Sequence, residues 1–165
     1  MPDANGAMSA EELRAFLDVT HLAIITTNGT NGVAHSTPVR YLADDDGALS
    51  VIVLKDAIKL RNIERDPLVS ITIAPETRPC AYARYRGTVT VHYADADEYP
   101  LAIAQRYMGN EPGQKWLKEQ GQDPFAMIRL LDPSPNTWMD TKPGHRSAFW
   151  SGYLSGVLSH RTFRR

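Results

Sequence analysis

With 165 residues, 42% hydrophobic content and a net charge of −1, the chain can build one domain with an adequate core, and it lacks the basic excess of a general nucleic-acid binder. The single cysteine, Cys80, excludes an intramolecular disulfide and a CxxC metal site, and no stretch is apolar and long enough to span a bilayer. The expectation is a cytoplasmic protein without nucleic-acid or membrane partners.

In chain order, residues 1–8 read as a flexible arm. Ser9-x-x-Glu12 forms a capping box that opens a helix with Leu13, Phe16 and Leu17 on its buried side, closing at Thr20 or His21. Residues 21–27 read as a β-branched strand, Asn28-Gly29-Thr30-Asn31-Gly32 as a turn, and residues 33–42 as the returning strand of a hairpin. Along that strand His35, Thr37, Val39 and Tyr41 share one face, and Ser36, Pro38, Arg40 and Leu42 the other. Pro38 has no N–H, so it marks an edge or a place where pairing opens. Asp44-Asp45-Asp46-Gly47 is a turn, since the rest of a calcium-loop pattern is missing. Residues 48–54 form a third strand, apolar enough at Val51-Ile52-Val53-Leu54 to be buried on both faces.

The run Ile58-Lys59-Leu60-Arg61-Asn62-Ile63-Glu64-Arg65-Asp66-Pro67 then reads as a short helix, capped by Asp56 and ended by Pro67, with Leu60 and Ile63 packing inward. Lys59 falls in the first turn, where free backbone N–H groups and the positive end of the helix dipole favour an anion; Arg61 adds charge, and Asn62 shares the side of Lys59. Periodicity alone reads the same run as a solvated basic face balanced by Glu64 and Asp66.

Residues 69–74 form a fourth strand, and a Pro-rich turn leads to a long fifth strand at 81–93, interrupted by Gly87 as a bulge or bend. Residues 95–107 and 114–119 read as helices stopped by Gly109 and Gly121, and 127–131 and 137–141 as final strands. The domain spans 9–142. The tail at 143–165 is basic and aromatic, and from Thr141 onward the chain holds no Asp or Glu. The five histidines are scattered, so no metal site is expected, and no Gly-x-Gly-x-x-Gly follows a strand.

Lys59-x-Arg61-Asn62-Ile63-x-Arg65-Asp66-Pro67-x-Val69-Ser70-Ile71 resembles the signature of the flavin/deazaflavin oxidoreductase superfamily, the split barrels that include pyridoxamine 5'-phosphate oxidase. Ser36-Thr37-Pro38-Val39-x-Tyr41, Tyr82-Ala83-Arg84-Tyr85-Arg86-Gly87-Thr88-Val89 and Ala104-x-Arg106-Tyr107-x-Gly109 agree in order and spacing, and the nearest branch is the coenzyme F420-dependent one. The resemblance implies a mainly β fold with helices, a six-stranded antiparallel split β-barrel, working as a homodimer with its cofactor at the subunit interface. It implies cofactor contacts from Lys59, Arg61, Asn62 and Lys55 to the phosphate, from Thr37, Pro38, Val39 and Arg40 to the ring, and from Tyr82. Trp138 lies in the last strand, which in relatives approaches the cofactor of the opposite subunit. Relatives often carry an arginine two residues before the phosphate lysine; this chain has Ala57 there, with Lys55 nearby as a substitute.

The implied activity is F420H2-dependent reduction of a small unsaturated organic substrate by hydride transfer, with the cofactor supplying the chemistry and the protein the geometry. His35, Arg40 and Tyr41 are candidate proton donors on position alone. The alternatives are an FMN-binding oxidoreductase of the pyridoxamine-phosphate-oxidase-like type and a non-catalytic carrier of F420 or flavin.

Overall fold

The computed structural model describes residues 6–44, 47–77, 80–93, 98–120, 124–131 and 134–140. Helix α1 (Ala10–Asp18) starts where the sequence places it, with Ser9 and Glu12 in a reciprocal capping box. It stops at Asp18, two residues early, because Val19 is already extended. Gly6 to Met8, read as part of a flexible arm, are tied to the last strand: Met139 N–H donates to the Gly6 carbonyl and Met8 N–H to Thr137 Oγ1, each at 2.9 Å.

Strands β1 (Ala23–Asn28) and β2 (Ala34–Val39) form the expected hairpin, with Ile24 opposite Pro38 and Ile25 opposite Thr37. The returning strand is not continuous, however. Arg40 interrupts it, and β3 (Tyr41–Ala43) pairs instead with β4 (Leu49–Leu54), Tyr41 facing Val51. Helix α2 (Ile58–Arg65), β5 (Leu68–Ile73), β6 (Ala81–His92), α3 (Glu98–Met108), α4 (Asn110–Glu119), β7 (Phe125–Leu130) and β8 (Asn136–Met139) follow.

The described residues thus hold eight strands and four helices, where the sequence suggested a six-stranded barrel. The sheet is antiparallel and runs β2-β1-β5-β6-β7-β4-β3, with β8 added to β6. Its two end strands, β2 and β3, are halves of one sequence segment, so the sheet curls round on itself. Strand β6 is long enough to serve both halves: residues 83–88 pair with β5, and 89–92 with β7. Gly87 pairs with Val69 without a skipped residue, so the strand changes partner just after it and forms no bulge there.

Alternation decides what fills the curl. Ala23 and Ile25, Val39 and Tyr41, Leu49, Val51 and Val53, Val69, Ile71 and Ile73, Ala83 and Tyr85, and Ala126 and Ile128 all point into one core. Burial pushes the Tyr85 phenol up to about 12. α2 adds Leu60 and Ile63 from outside the curl, as its three-residue spacing predicts.

Two further corrections concern helix starts. Asp56 does not cap α2; the N-cap is Ala57, in extended conformation and with no side-chain hydrogen bond to the helix. α4 begins at Asn110, four residues early, because Gly109 takes a positive φ of 90° that turns the chain directly from α3 into α4. Gly121, Asp45, Asp46 and the 143–165 tail lie outside the described residues. No helix among the described residues is long and apolar enough to cross a membrane, and none of their His, Cys, Asp and Glu groups could hold a metal.

Candidate functional site

The break at Arg40 opens the site. Before it β2 leans on β1, after it β3 leans on β4, and the two strand halves part. Between β2 and β4 lies a cavity of about 320 Å³, floored by Val39, Ile52 and Val53, walled by Trp116 and Phe125, and carrying Arg40 and Lys59. Pro38 lines its edge, where the missing N–H leaves nothing to pair. No acidic residue lines it.

Lys59 stands in the first turn of α2 and is half-buried. Burial holds its ammonium below the ordinary lysine range, and among the described residues it has no hydrogen-bond or ion-pair partner. A desolvated, unpaired cation at a helix start is an anion site in physical terms. Arg61, two residues on, is exposed.

Asn62 does not join them. It is 4% exposed and turned inward, its amide donating to Thr27 Oγ1 at 3.0 Å, while the Thr27 hydroxyl donates to the His35 carbonyl at 3.4 Å. The rest of the signature is likewise structural. Arg65 donates to the Asn28 carbonyl, Asn28 donates to Asp66 Oδ2 at 2.7 Å, and Asp66 Oδ1 accepts from Leu68 N–H at 3.1 Å. These bonds hold the Asp66 carboxyl below the usual range, the Asn28 amide first. The run 58–67 therefore divides: Lys59 and Arg61 are free to bind, and Asn62, Arg65 and Asp66 fasten α2 to the β1–β2 hairpin.

The other candidates separate in the same way. Tyr41 is fully buried, its hydroxyl donating to the Leu17 and Val19 carbonyls at 3.3 and 3.4 Å, and burial drives its pKa well up; it has left the cleft for the core. His35 sits at the far end of β2, opposite Thr27, and does not line the cavity. Thr37 also lies outside the lining, but its hydroxyl is buried and without a partner among the described residues. Lys55 sits with its ammonium 5.8 Å from the Tyr93 ring centre, outside the cavity lining. Tyr82 and Trp138 are cross-strand neighbours whose rings stack at 6.3 Å, with the Tyr82 hydroxyl donating to Asn136 at 2.9 Å. They lie on β6 and β8, and neither lines the cavity.

Sequence reasoning missed Trp116. It stacks on Phe125 at 5.5 Å, and the Arg40 guanidinium lies 5.5 Å from its ring centre and 5.7 Å from that of Tyr107. The pattern of α4 alone carries no signal for this, because the approach depends on Gly113 letting α4 sit against the α3 backbone at Ala104 and Gln105. The Arg106-Tyr107 pair anchors α3: Arg106 donates to the Leu17 and Val19 carbonyls, and the Tyr107 hydroxyl donates to the His21 carbonyl and accepts from Tyr41 N–H. A different hollow of about 430 Å³, between α1 and the β3–β4 turn, is lined by Glu11, Asp18 and Asp44 with one arginine, Arg14, and suits no anion.

The fold has solved counterparts. Conserved hypothetical protein Rv2991 from Mycobacterium tuberculosis superposes with a TM-score of 0.73 at 20% identity, over 86% of this chain and 91% of that one. A protein described as an F420 reductase superposes with a TM-score of 0.58 at 18% identity, over 79% of this chain and 94% of its own. General Stress Protein 26 from Bacillus anthracis does so with a TM-score of 0.53 at 16% identity, over 76% and 87%. Curated proteins offer no significant match. The pyridoxamine 5'-phosphate oxidase family model matches residues 9–131. With the curled antiparallel sheet and its opening at Arg40, that match makes the chain a member of the pyridoxamine 5'-phosphate oxidase-like split-barrel superfamily.

Proposed function

We propose that the chain binds coenzyme F420 in the cleft between β2 and β4 and uses it, as a cytoplasmic homodimer, to reduce a small unsaturated organic substrate. The observation that carries this reading is Lys59, desolvated and unpaired in a cavity without acidic residues. The oxidoreductase family and the fold likeness to a protein described as an F420 reductase support it. The residues fit such a coenzyme: a cation for its phosphate, an apolar floor for a flat ring, and the unsatisfied Thr37 hydroxyl on the bordering strand.

When bound, the coenzyme supplies the hydride. The chain's share is to orient and to exclude water. Two of the three proton-donor candidates do not suit that role: Tyr41 is buried with its hydroxyl engaged, and His35 lies outside the cavity lining. Water at the cleft mouth serves in this reading. Tyr82 and Trp138 do not line the cleft of their own chain, and a second copy set against the outer face of β6 and β8 would carry them towards it.

Titration with F420 and FMN tests the proposal. F420 is expected to bind more tightly than FMN, one per chain, and Lys59→Ala to weaken it by about 1.5–3 kcal/mol, or ten- to a hundredfold, the scale of a lost charged hydrogen bond. Unchanged affinity would remove Lys59 from the site. Protein that purifies yellow with bound FMN selects the flavin variant, and F420H2 binding without oxidation by enones or quinones selects the carrier.

The binding has a pH signature. Burial lowers the Lys59 pKa, so at alkaline pH part of the population is neutral; a bound phosphate stabilises the ammonium and raises that pKa again. Affinity is therefore expected to fall as pH rises through the depressed Lys59 pKa, with proton uptake on binding in that range. Calorimetry in buffers of different ionisation heat measures this, and Lys59→Ala is expected to abolish it.

A further inference from the structure

We propose that Arg40, steadied between the rings of Tyr107 and Trp116, is the substrate-anchoring cation of the cleft, and that it takes a planar conjugated carboxylate. The inference rests on the coenzyme reading of the cleft and adds the class of substrate. Arg40 lies against two rings, yet it has no acidic partner and no hydrogen bond among the described residues. Rings hold a guanidinium by its faces and leave the fork of N–H donors in its plane free, and that fork matches a carboxylate with two parallel hydrogen bonds.

The surroundings point the same way. Lys59 and Arg40 are the cavity's two cations, uncompensated by any acid in the lining. Their chemistry divides the work: the ammonium is a point charge that suits a phosphate, and the planar guanidinium reads a planar acid. Trp116 and Phe125, stacked at 28° to one another, put an aromatic surface beside Arg40, so a flat conjugated ligand gains stacking where its carboxylate gains hydrogen bonds. Arg40 also stands at the break between β2 and β3, at the margin where the two strand halves part.

Calorimetric titration of trans-cinnamate, and of trans-cinnamamide as its uncharged counterpart, into the full-length chain tests this, with and without saturating coenzyme. Wild type is expected to prefer the acid by about tenfold or more, the scale of a charge-assisted hydrogen bond. Arg40→Gln is expected to abolish the preference, Arg40→Lys to keep part of it, and Lys59→Ala to leave it intact while weakening the coenzyme. Circular dichroism checks that each variant is folded. The proposal is overturned if wild type fails to bind the acid at millimolar concentration, if it binds acid and amide alike, or if Arg40→Gln keeps the preference. Displacement of cinnamate by saturating coenzyme overturns it too, by assigning Arg40 to the coenzyme. Coenzyme that fails to bind while the acid preference survives sinks the coenzyme reading and leaves the anchoring role standing.

Discussion

Gly113→Ala is expected to lower the stability of the chain by about 3 kcal/mol, at the upper end of overpacking costs, and to disturb the cleft at the same time. A Cβ at this position would lie 2.7 Å from the Ala104 carbonyl carbon and 2.7 Å from Gln105 N. Both are backbone atoms, so no side-chain rotation relieves the overlap. α3 cannot withdraw cheaply, because Arg106 and Tyr107 bind it to the Leu17, Val19 and His21 carbonyls and to Tyr41 N–H. α4 must therefore lift, taking Trp116 away from Phe125 and Arg40. Denaturant unfolding measures the first effect, and a changed tryptophan emission in the folded variant the second. An alanine variant as stable as wild type would contradict the close helix packing.

Asn62→Ala is expected to cost about 2 kcal/mol of stability while leaving coenzyme affinity within about twofold of wild type. The substitution removes the amide that donates to Thr27 Oγ1 and opens space between α2 and β1. The buried Thr27 hydroxyl loses its donor, and the α2 docking loses its only fully buried polar contact among the described residues. Lys59→Ala should behave in the opposite way, since Lys59 holds nothing together. Chemical denaturation and coenzyme titration on the two variants make a crossed comparison, and loss of coenzyme affinity in folded Asn62→Ala would return Asn62 to the binding site.

That contrast shows where reading the residues in order succeeds. The capping box at Ser9 and Glu12, the inward Leu60 and Ile63, and the two faces of residues 35–41 depend on neighbours a few positions away, and they stand in the structure as expected. The signature around Lys59 led to the family. In sequence its residues read together as a cofactor grip, but spacing cannot tell a side chain that faces a ligand from one that faces the next strand. Asn62 turned inward because Thr27, 35 residues earlier, offered a partner. Tyr41 left the cleft because Leu17 and Val19 present carbonyls beneath it. The break at Arg40 was hinted at only by Pro38, since what stops the strand is competition between β1 and β4 for its two halves. Trp116 gave no local hint at all.

The joined ends of the sheet carry a mechanical consequence. A closed barrel can widen only by rupturing a ladder of bonds, and an open sheet is free to splay anywhere along its rim. Here the two rims are one covalent chain turning at Arg40, so the gap can gape by dihedral rotation at that pivot while every ladder stays intact. The fold is built like a clip, laddered around its circumference and unladdered at one joint, so that opening there would admit a slim guest without melting any of the frame that grips it.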